Sequence, residues 1–237
     1  VVDPDAGEDH FVAQTGVTGT GHYGSFSIDA SGHYSYVADN SQAAIQQLKV
    51  SETLTDRFTV ATADGTQQVV TITINGAEDR PVLQAQTHAI TEDGARLTGQ
   101  MLATDADAGD TQRFSIAQQV AGFTINADGS FNFDPANAAY QHLTAGQTQD
   151  VVIPVTVRDS NGATSTQNLT ITVTGVNDGA VISGVSNGTI TEDQGVNATH
   201  TLSCGGKLVV TDVDTGESTF AVQHGTGANC YGSFVLG

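Results

Sequence analysis

The sequence predicts an all-β chain built of tandem β-sandwich domains in a linear array, and three observations lead there. Apolar residues alternate with polar ones at a period of two, not 3.6. Turn signals return every ~8–12 residues, the spacing of a sandwich. Whole blocks of sequence also recur about 100 residues apart, the mark of a repeat architecture. Ile90-Thr91-Glu92-Asp93 returns as Ile190-Thr191-Glu192-Asp193. The block Asp3 to Phe11 returns as Asp105 to Phe114 and again as Asp212 to Phe220. Tyr23 to Val37 matches Ala121 to Pro135, Tyr231 to Gly237 begins the same element, and Thr71 to Val82 matches Thr170 to Val181. These matches parse the chain into residues 1–80, a repeat lacking its first strand region; 81–179, a complete repeat; and 180–237, the N-terminal half of a third.

Each element follows from local pattern. Phe26/Ile28 and Tyr34/Tyr36 flank the turn Asp29-Ala30-Ser31-Gly32, and Phe123/Ile125 and Phe131/Phe133 flank Asn126-Ala127-Asp128-Gly129. Both read as β-hairpins with a glycine in the left-handed turn position. The pairs Phe58/Val60 and Ile153/Val155/Val157 mark the next strand, in which Pro154 falls on the outward set and requires an edge or a bulge. After the turns Asp64-Gly65 and Asn161-Gly162, Val70/Ile72/Ile74 and Leu169/Ile171/Val173 face a core while threonines face out. The one helix-like stretch is Ser41 to Val50, with Ser41 as N-cap and Ala44, Ile45 and Leu48 on one face; its counterpart runs Asn137 to Leu143. Both are short enough to be turns.

Composition bounds the function. The chain has 237 residues, with 26 acidic against 7 basic and a net charge of −19. That charge argues against nucleic acid as a partner. With 38% hydrophobic and 6% aromatic residues, each core is modest and aliphatic, which disfavours one large core. No run approaches the ~18 apolar residues of a membrane span, so membrane insertion is not expected, and Val1 to His10 has no signal-peptide pattern. The two cysteines, Cys204 and Cys230, are too few for a zinc site or a disulfide framework. They read as one local disulfide in an oxidising compartment, with two buried free thiols as the alternative.

The hairpin, the short Leu-bearing turn, the Asp-Gly turn, the final Thr/Ile strand and the G-x-x-D junction resemble, in that order, the VCBS and cadherin-like repeats of giant secreted RTX-type bacterial adhesins. The resemblance covers essentially the whole chain. It implies immunoglobulin/cadherin-like sandwiches strung end to end, displayed at the bacterial cell surface and stiffened by Ca2+. The Gly-rich calcium nonapeptides of the RTX tail are absent, so the resemblance concerns the stalk alone.

The acidic motifs are the candidate chemistry. In D-x-D-x-G-[DE], present as Asp3/Asp5/Glu8, Asp105/Asp107/Asp110 and Asp212/Asp214/Glu217, alternate carboxylates share one side of a turning backbone. That suits a hard cation needing ~6–8 oxygens. It is not an EF-hand, because the twelfth position from Asp105 is Ile116. The remaining candidates are Glu92, Asp93, Glu192 and Asp193 after the junctions, Glu78, Asp79, Asn177 and Asp178 within them, and Asp64 and Asp159 in the turn before the last strand. In a sandwich the final strand ends where the next domain starts, so these groups can converge across a boundary; the resemblance places calcium there. Any single acid is equally explained as a solvated turn residue.

Signals for catalysis fail on inspection. Gly19-x-Gly21-x-x-Gly24 precedes a strand instead of a helix N-terminus, so it cannot cradle a phosphate in the usual way. Gly184-Val185-Ser186-Asn187-Gly188 lies at a junction without a strand-to-helix elbow. The expected function is therefore a non-enzymatic stalk or spacer segment of a secreted, calcium-stiffened adhesin or extracellular filament. The alternatives are a carbohydrate- or protein-binding sandwich and an accessory domain of a secreted polysaccharide hydrolase. The expected partners are neighbouring repeats, including head-to-tail association of identical chains through open strand edges.

Overall fold

The computed structural model describes residues 7–229 and 231–236, and it is almost entirely β. The central repeat is a sandwich. Its four-stranded sheet runs in the order β10 (Arg113–Ile116), β13 (Thr148–Arg158), β14 (Thr164–Thr174), β7 (Gln86–Thr91), and its three-stranded sheet in the order β11 (Phe123–Ile125), β12 (Ser130–Phe133), β8 (Leu97–Gln100). Residues from both sheets interdigitate in one core, with Phe131, Phe133, Ile153, Val155, Val157, Leu169, Ile171 and Val173 all buried. The alternation seen in the sequence is thus the inward face of each strand. β7 runs parallel to β14, in register from Gln86↔Leu169 to Thr91↔Thr174. This pairing brings the start of the repeat to the pole where its last strand ends.

Pro154 lies inside β13, which has neighbours on both sides. It nevertheless occupies a local edge, because the pairing with β10 stops one residue earlier at Ile116↔Val155. The missing N–H therefore breaks no ladder to β10, and no bulge is needed. Gly129 and Gly162 take left-handed φ values of 88° and 105° in the turns assigned to them.

The first repeat holds a three-stranded sheet, β1 (Gln14–Thr18), β2 (Gly24–Ile28), β3 (Tyr34–Ala38), and a hairpin of β4 (Thr53–Ala61) with β5 (Gln67–Asn75). Its smaller core is Phe26, Ile28, Phe58 and Val60. One alternating residue stands apart from the core here, and one expectation, the Ser41 cap, is corrected. Tyr34 does not join the core: its pairing with Ile28 puts it at the turn end of the hairpin, where it is 57% exposed and stacks on the rim of Phe26. Ser41 does not cap a helix, because its N–H and hydroxyl both bond to Asp39 Oδ1. The helix shrinks to α1 (Ala43–Gln46), where Ile45 is buried and Ala44 is exposed, and its counterpart at 137–143 is a run of turns.

The Gly19-x-Gly21-x-x-Gly24 segment has a structural role. Its backbone wraps a side chain of the protein itself, Asp56, which is fully buried. Gly21 N–H donates to Asp56 Oδ1 at 2.8 Å, Tyr23 N–H to Oδ2 at 3.3 Å and Tyr36 Oη–H to Oδ2 at 3.2 Å. A Cβ on Gly19 would strike this carboxylate and the Phe58 ring. Burial, with the Asp56 charge beside it, pushes the Tyr36 phenol up to about 12.

Between the first and second repeats, β6 (Val82–Leu83) pairs with β9 (Ala103–Thr104); between the second and third, β15 (Val181–Gly184) pairs with β16 (Leu208–Thr211). The third repeat adds the hairpin of β17 (Gln223–Thr226) and β18 (Ser233–Leu236), and among the described residues it contributes no buried apolar side chain.

Replacing Asp56 with Ala removes the acceptor of three backbone amides, Gly21, Tyr23 and Arg57, and of the Tyr36 hydroxyl in a closed site. It is expected to lower the stability of the first repeat by about 2–4 kcal/mol. The readout is a lower urea midpoint at unchanged m-value; an unchanged midpoint would contradict the structural role of this carboxylate.

Candidate metal centre

The two boundaries are built by one local rule. β6–β9 and β15–β16 are antiparallel pairs, so the linker just before the first strand lies beside the loop just after the second. The linker carries Glu78 and Asp79, or Asn177 and Asp178; the loop carries Asp105 and Asp107, or Asp212 and Asp214. Asp79 N–H donates to Asp107 Oδ2 at 3.0 Å, and Asp178 N–H donates to Asp214 Oδ2 at 2.9 Å. Within each loop the second aspartate amide donates back to the first carboxylate, Asp107 N–H to Asp105 Oδ1 and Asp214 N–H to Asp212 Oδ1, both at 3.0 Å. The same clasp therefore forms twice from different sequences.

At the first boundary Glu78, Asp110 and Asp159 bring one carboxylate oxygen each within 4.8 Å of one another. Asp159 comes from the β13–β14 turn, where its Oδ1 accepts the amides of Asn161, Gly162 and Ala163. Asn161 Nδ2 also reaches Asp110 Oδ2 at 3.1 Å, and Lys49 of the first repeat reaches Asp110 Oδ1 at 2.7 Å. At the second boundary Glu92, Asp178 and Asp214 form another such group, from different repeat positions. The parallel β7–β14 pairing delivers Glu92 there: its N–H donates to Thr174 O at 3.0 Å and its Oε1 accepts the Val176 amide at 2.6 Å. Glu92 is 0% and Asp214 2% exposed.

These acids lack the partners that buried carboxylates ordinarily have. Both oxygens of Glu78, Glu92 Oε2, Asp105 Oδ2, Asp107 Oδ1, Asp159 Oδ2, Asp178 Oδ2 and Asp214 Oδ1 are shielded from solvent and accept no hydrogen bond. Several unpaired anionic oxygens converging from linker, loop and turn fit a hard divalent cation, which takes only oxygen ligands. Neutral groups would not need so many acceptors in one place.

The other candidates stand apart. Asp64 is exposed and satisfied within its own turn by Thr62 and Thr66, which hold its carboxyl down at about 2. Asp93 and Asn177 are exposed beside the second group, with Asn177 Nδ2 bonded to Asp178 O. Glu192 and Asp193 are exposed, and Asp193 has a left-handed φ of 60°. Asp3, Asp5 and Cys230 lie outside the described residues, and Cys204 is exposed, so the anticipated disulfide is not shown. Sequence reasoning missed Lys49 and Asn161; the only available signal was their proximity to repeated turn positions.

The electrostatics give a pH dependence. Burial first, then the neighbouring carboxylates, pushes the carboxyls of Glu78, Asp105 and Asp178 up. Burial also raises Glu92, against the opposing Val176 hydrogen bond. A raised native pKa means that the folded boundary binds protons more readily than the unfolded chain. The metal-free protein should therefore gain stability as pH falls from neutrality toward the ordinary carboxylate range of ~4. Asp110, held low by Lys49, opposes this only at more acid pH. Thermal unfolding in chelator from pH 7.5 to 5 is expected to show a rising midpoint; a steady fall would contradict the description of the clusters.

A model of the bacterial cadherin-like domain matches residues 1–76 and again 78–175. Among solved structures, the EC22-24 segment of mouse cadherin-23 aligns with 96% of this chain and 74% of its own, at 17% identity and TM-score 0.47. Protocadherin gamma B7 extracellular domains 1-4 align with 98% of this chain and 56% of their own, at 17% identity and TM-score 0.46. Drosophila N-cadherin EC1-4 aligns over 75% of this chain and 45% of its own, at 9% identity and TM-score 0.44. The chain spans about half the length of the last two structures. No curated protein compared with it matches. Because one family model accounts for two successive stretches that make up most of its length, the chain belongs to the bacterial cadherin-like domain family.

Proposed function

We propose that this chain is a non-enzymatic spacer in the stalk of a secreted bacterial adhesin or extracellular filament, of the VCBS/RTX kind, and that calcium bound at the repeat boundaries stiffens it. The carrying observation is the repeated clasp of linker amide and aspartate, surrounded at both boundaries by shielded oxygens without partners. The first boundary offers Glu78, Asp79, Asp105, Asp107, Asp110 and Asp159; the second offers Glu92, Asp93, Asn177, Asp178, Asp212 and Asp214. In each set the ligands come from both sides of the boundary, so one ion joins two domains and removes their freedom to swing. Membership in the cadherin-like family supports an extracellular adhesion or spacer module. No helix among the described residues is long and apolar enough to cross a membrane. An oxidising location also suits a Cys204–Cys230 bridge, which intact-mass measurement without reductant would reveal.

Extracellular calcium modules bind with Kd of roughly 10⁻⁴–10⁻³ M. Ion binding confined to the folded array stabilises it by about 1–3 kcal/mol at several millimolar calcium. The melting temperature should rise by several degrees, and the radius of gyration should increase as the boundaries straighten. If calcium moves neither quantity, the stiffening reading fails. Glu92→Gln should act with opposite signs in two conditions. In chelator it removes an unpaired buried charge while keeping the Val176 contact, and stabilises the protein. In calcium it should weaken binding at the second boundary about tenfold, read by calorimetry.

A further inference from the structure

The two boundaries differ in their acids, and the first also holds a basic side chain. Lys49 Nζ crosses the first boundary to Asp110 Oδ1 at 2.7 Å, with the Asp110 side chain 1% and the Lys49 side chain 29% exposed. The ammonium thereby joins a group that includes Asp107 and Asp159, both at least nine-tenths buried, each with one unpartnered oxygen. In the second repeat the same backbone position is Thr144. Lys49 N–H donates to Glu52 Oε2 at 3.1 Å, and Thr144 N–H to Gln147 Oε1 at 3.3 Å. Lys49 O and Thr144 O stand over Gly76 and Gly175, so closely that neither glycine could carry a Cβ. Two residues earlier, Gln47 O accepts the Ala108 amide at 3.3 Å, as His142 O accepts the Thr215 amide at 3.1 Å. The frames coincide, and only the side chain differs.

The flanking carboxylates differ as well. Asp110 is drawn inward at the first boundary, whereas its equivalent, Glu217, is exposed. Among the described residues no basic side chain forms an ion pair with Glu92, Asp178 or Asp214. We propose that Lys49 is a built-in counter-cation of the first boundary, which competes with a divalent metal for Asp110 and weakens metal binding there. The proposal rests on the reading of both boundaries as calcium sites. An ammonium supplies one charge and three donors from a flexible stem, so it neutralises Asp110 without gathering the other carboxylates. A calcium ion needing ~6–8 oxygens must displace it before using Asp110. Lys49 then raises the calcium concentration at which the first boundary becomes rigid.

The test is a calcium chloride titration of the full chain, followed by calorimetry and by the backbone amide signals of Asp79 and Asp107 for the first boundary and Asp178 and Asp214 for the second. The unmodified chain sets the reference affinity of each boundary. Lys49→Thr, which copies the second repeat, should tighten binding at the first boundary about three- to tenfold and leave the second unchanged. Lys49→Met keeps the apolar stem and should behave alike, which separates loss of charge from loss of packing. In chelator both variants should melt below the unmodified chain, and calcium should close the gap. Equal first-boundary affinity in all three proteins would overturn the role of Lys49 while leaving the calcium reading intact. Absence of calcium binding at either boundary would overturn both.

Discussion

The boundaries depend on a single backbone contact, the linker amide donated to the second aspartate of the next repeat. Asp79 N–H to Asp107 and Asp178 N–H to Asp214 hold linker and loop in one register. Once they are held, the remaining acids have little choice of position. Glu92 is carried in by the parallel β7–β14 pairing, and Asp159 by the β13–β14 turn. The fold thereby assembles like charges that would separate if the chain were free. Backbone hydrogen bonds satisfy only some of their oxygens, and the rest face one another. A buried anionic oxygen without a partner is costly. The scaffold tolerates this arrangement because the core of the central sandwich, which adjoins both boundaries, holds β7, β13 and β14 in place.

Much of this was legible in the sequence because the repeat presents each element twice. Alternation identified the hairpins and the inward faces of β13 and β14, and the recurring D-x-D and T-E-D blocks identified most of the converging acids. Where sequence reasoning failed, the cause was context that periodicity does not carry. Tyr34 obeys the alternation but sits at the turn end of its hairpin, beyond the cover of the core. Ser41 has the chemistry of a cap, yet Asp39, two residues earlier, captures it. Lys49 carries no motif at all, and its importance appears only when the first repeat is set against the second.

Asp64 shows the same limit from the other side. It precedes the last strand of its repeat just as Asp159 does, yet it belongs to neither cluster. Its turn is the tight Asp64-Gly65 pair, in which Thr62 and Thr66 satisfy the carboxylate locally. It also lies at the opposite pole of the first repeat, where the Ala63 amide donates to His10 O at 3.1 Å. Asp64 takes the turn position of Asn161, and Thr62 that of Asp159, so the two acids point into different surroundings. A repeat position defines a direction, and the neighbouring domain decides what is found there.

The buried Asp56 and the boundary acids settle opposite problems with the same carboxylate chemistry. Asp56 occupies the place that Val151 takes in the second repeat, and the first repeat encloses it with glycine-rich backbone donors and the Tyr36 hydroxyl. Its oxygens are satisfied from within one domain, so it locks that domain and demands nothing from outside. Glu92 is equally buried, but one of its oxygens accepts the linker amide and the other has no partner. Donors fixed on the backbone can satisfy a lone carboxylate. They cannot satisfy three carboxylates that share one space, because each amide points one way and carries only partial charge. Relief there requires a full positive charge with access to all of them. An ammonium on a long stem meets the charge requirement for one carboxylate, whereas a small divalent ion meets it for several and fixes their geometry together. In the function proposed above, rigidity between domains is a property of the cation at the boundary, and rigidity within a domain a property of its core.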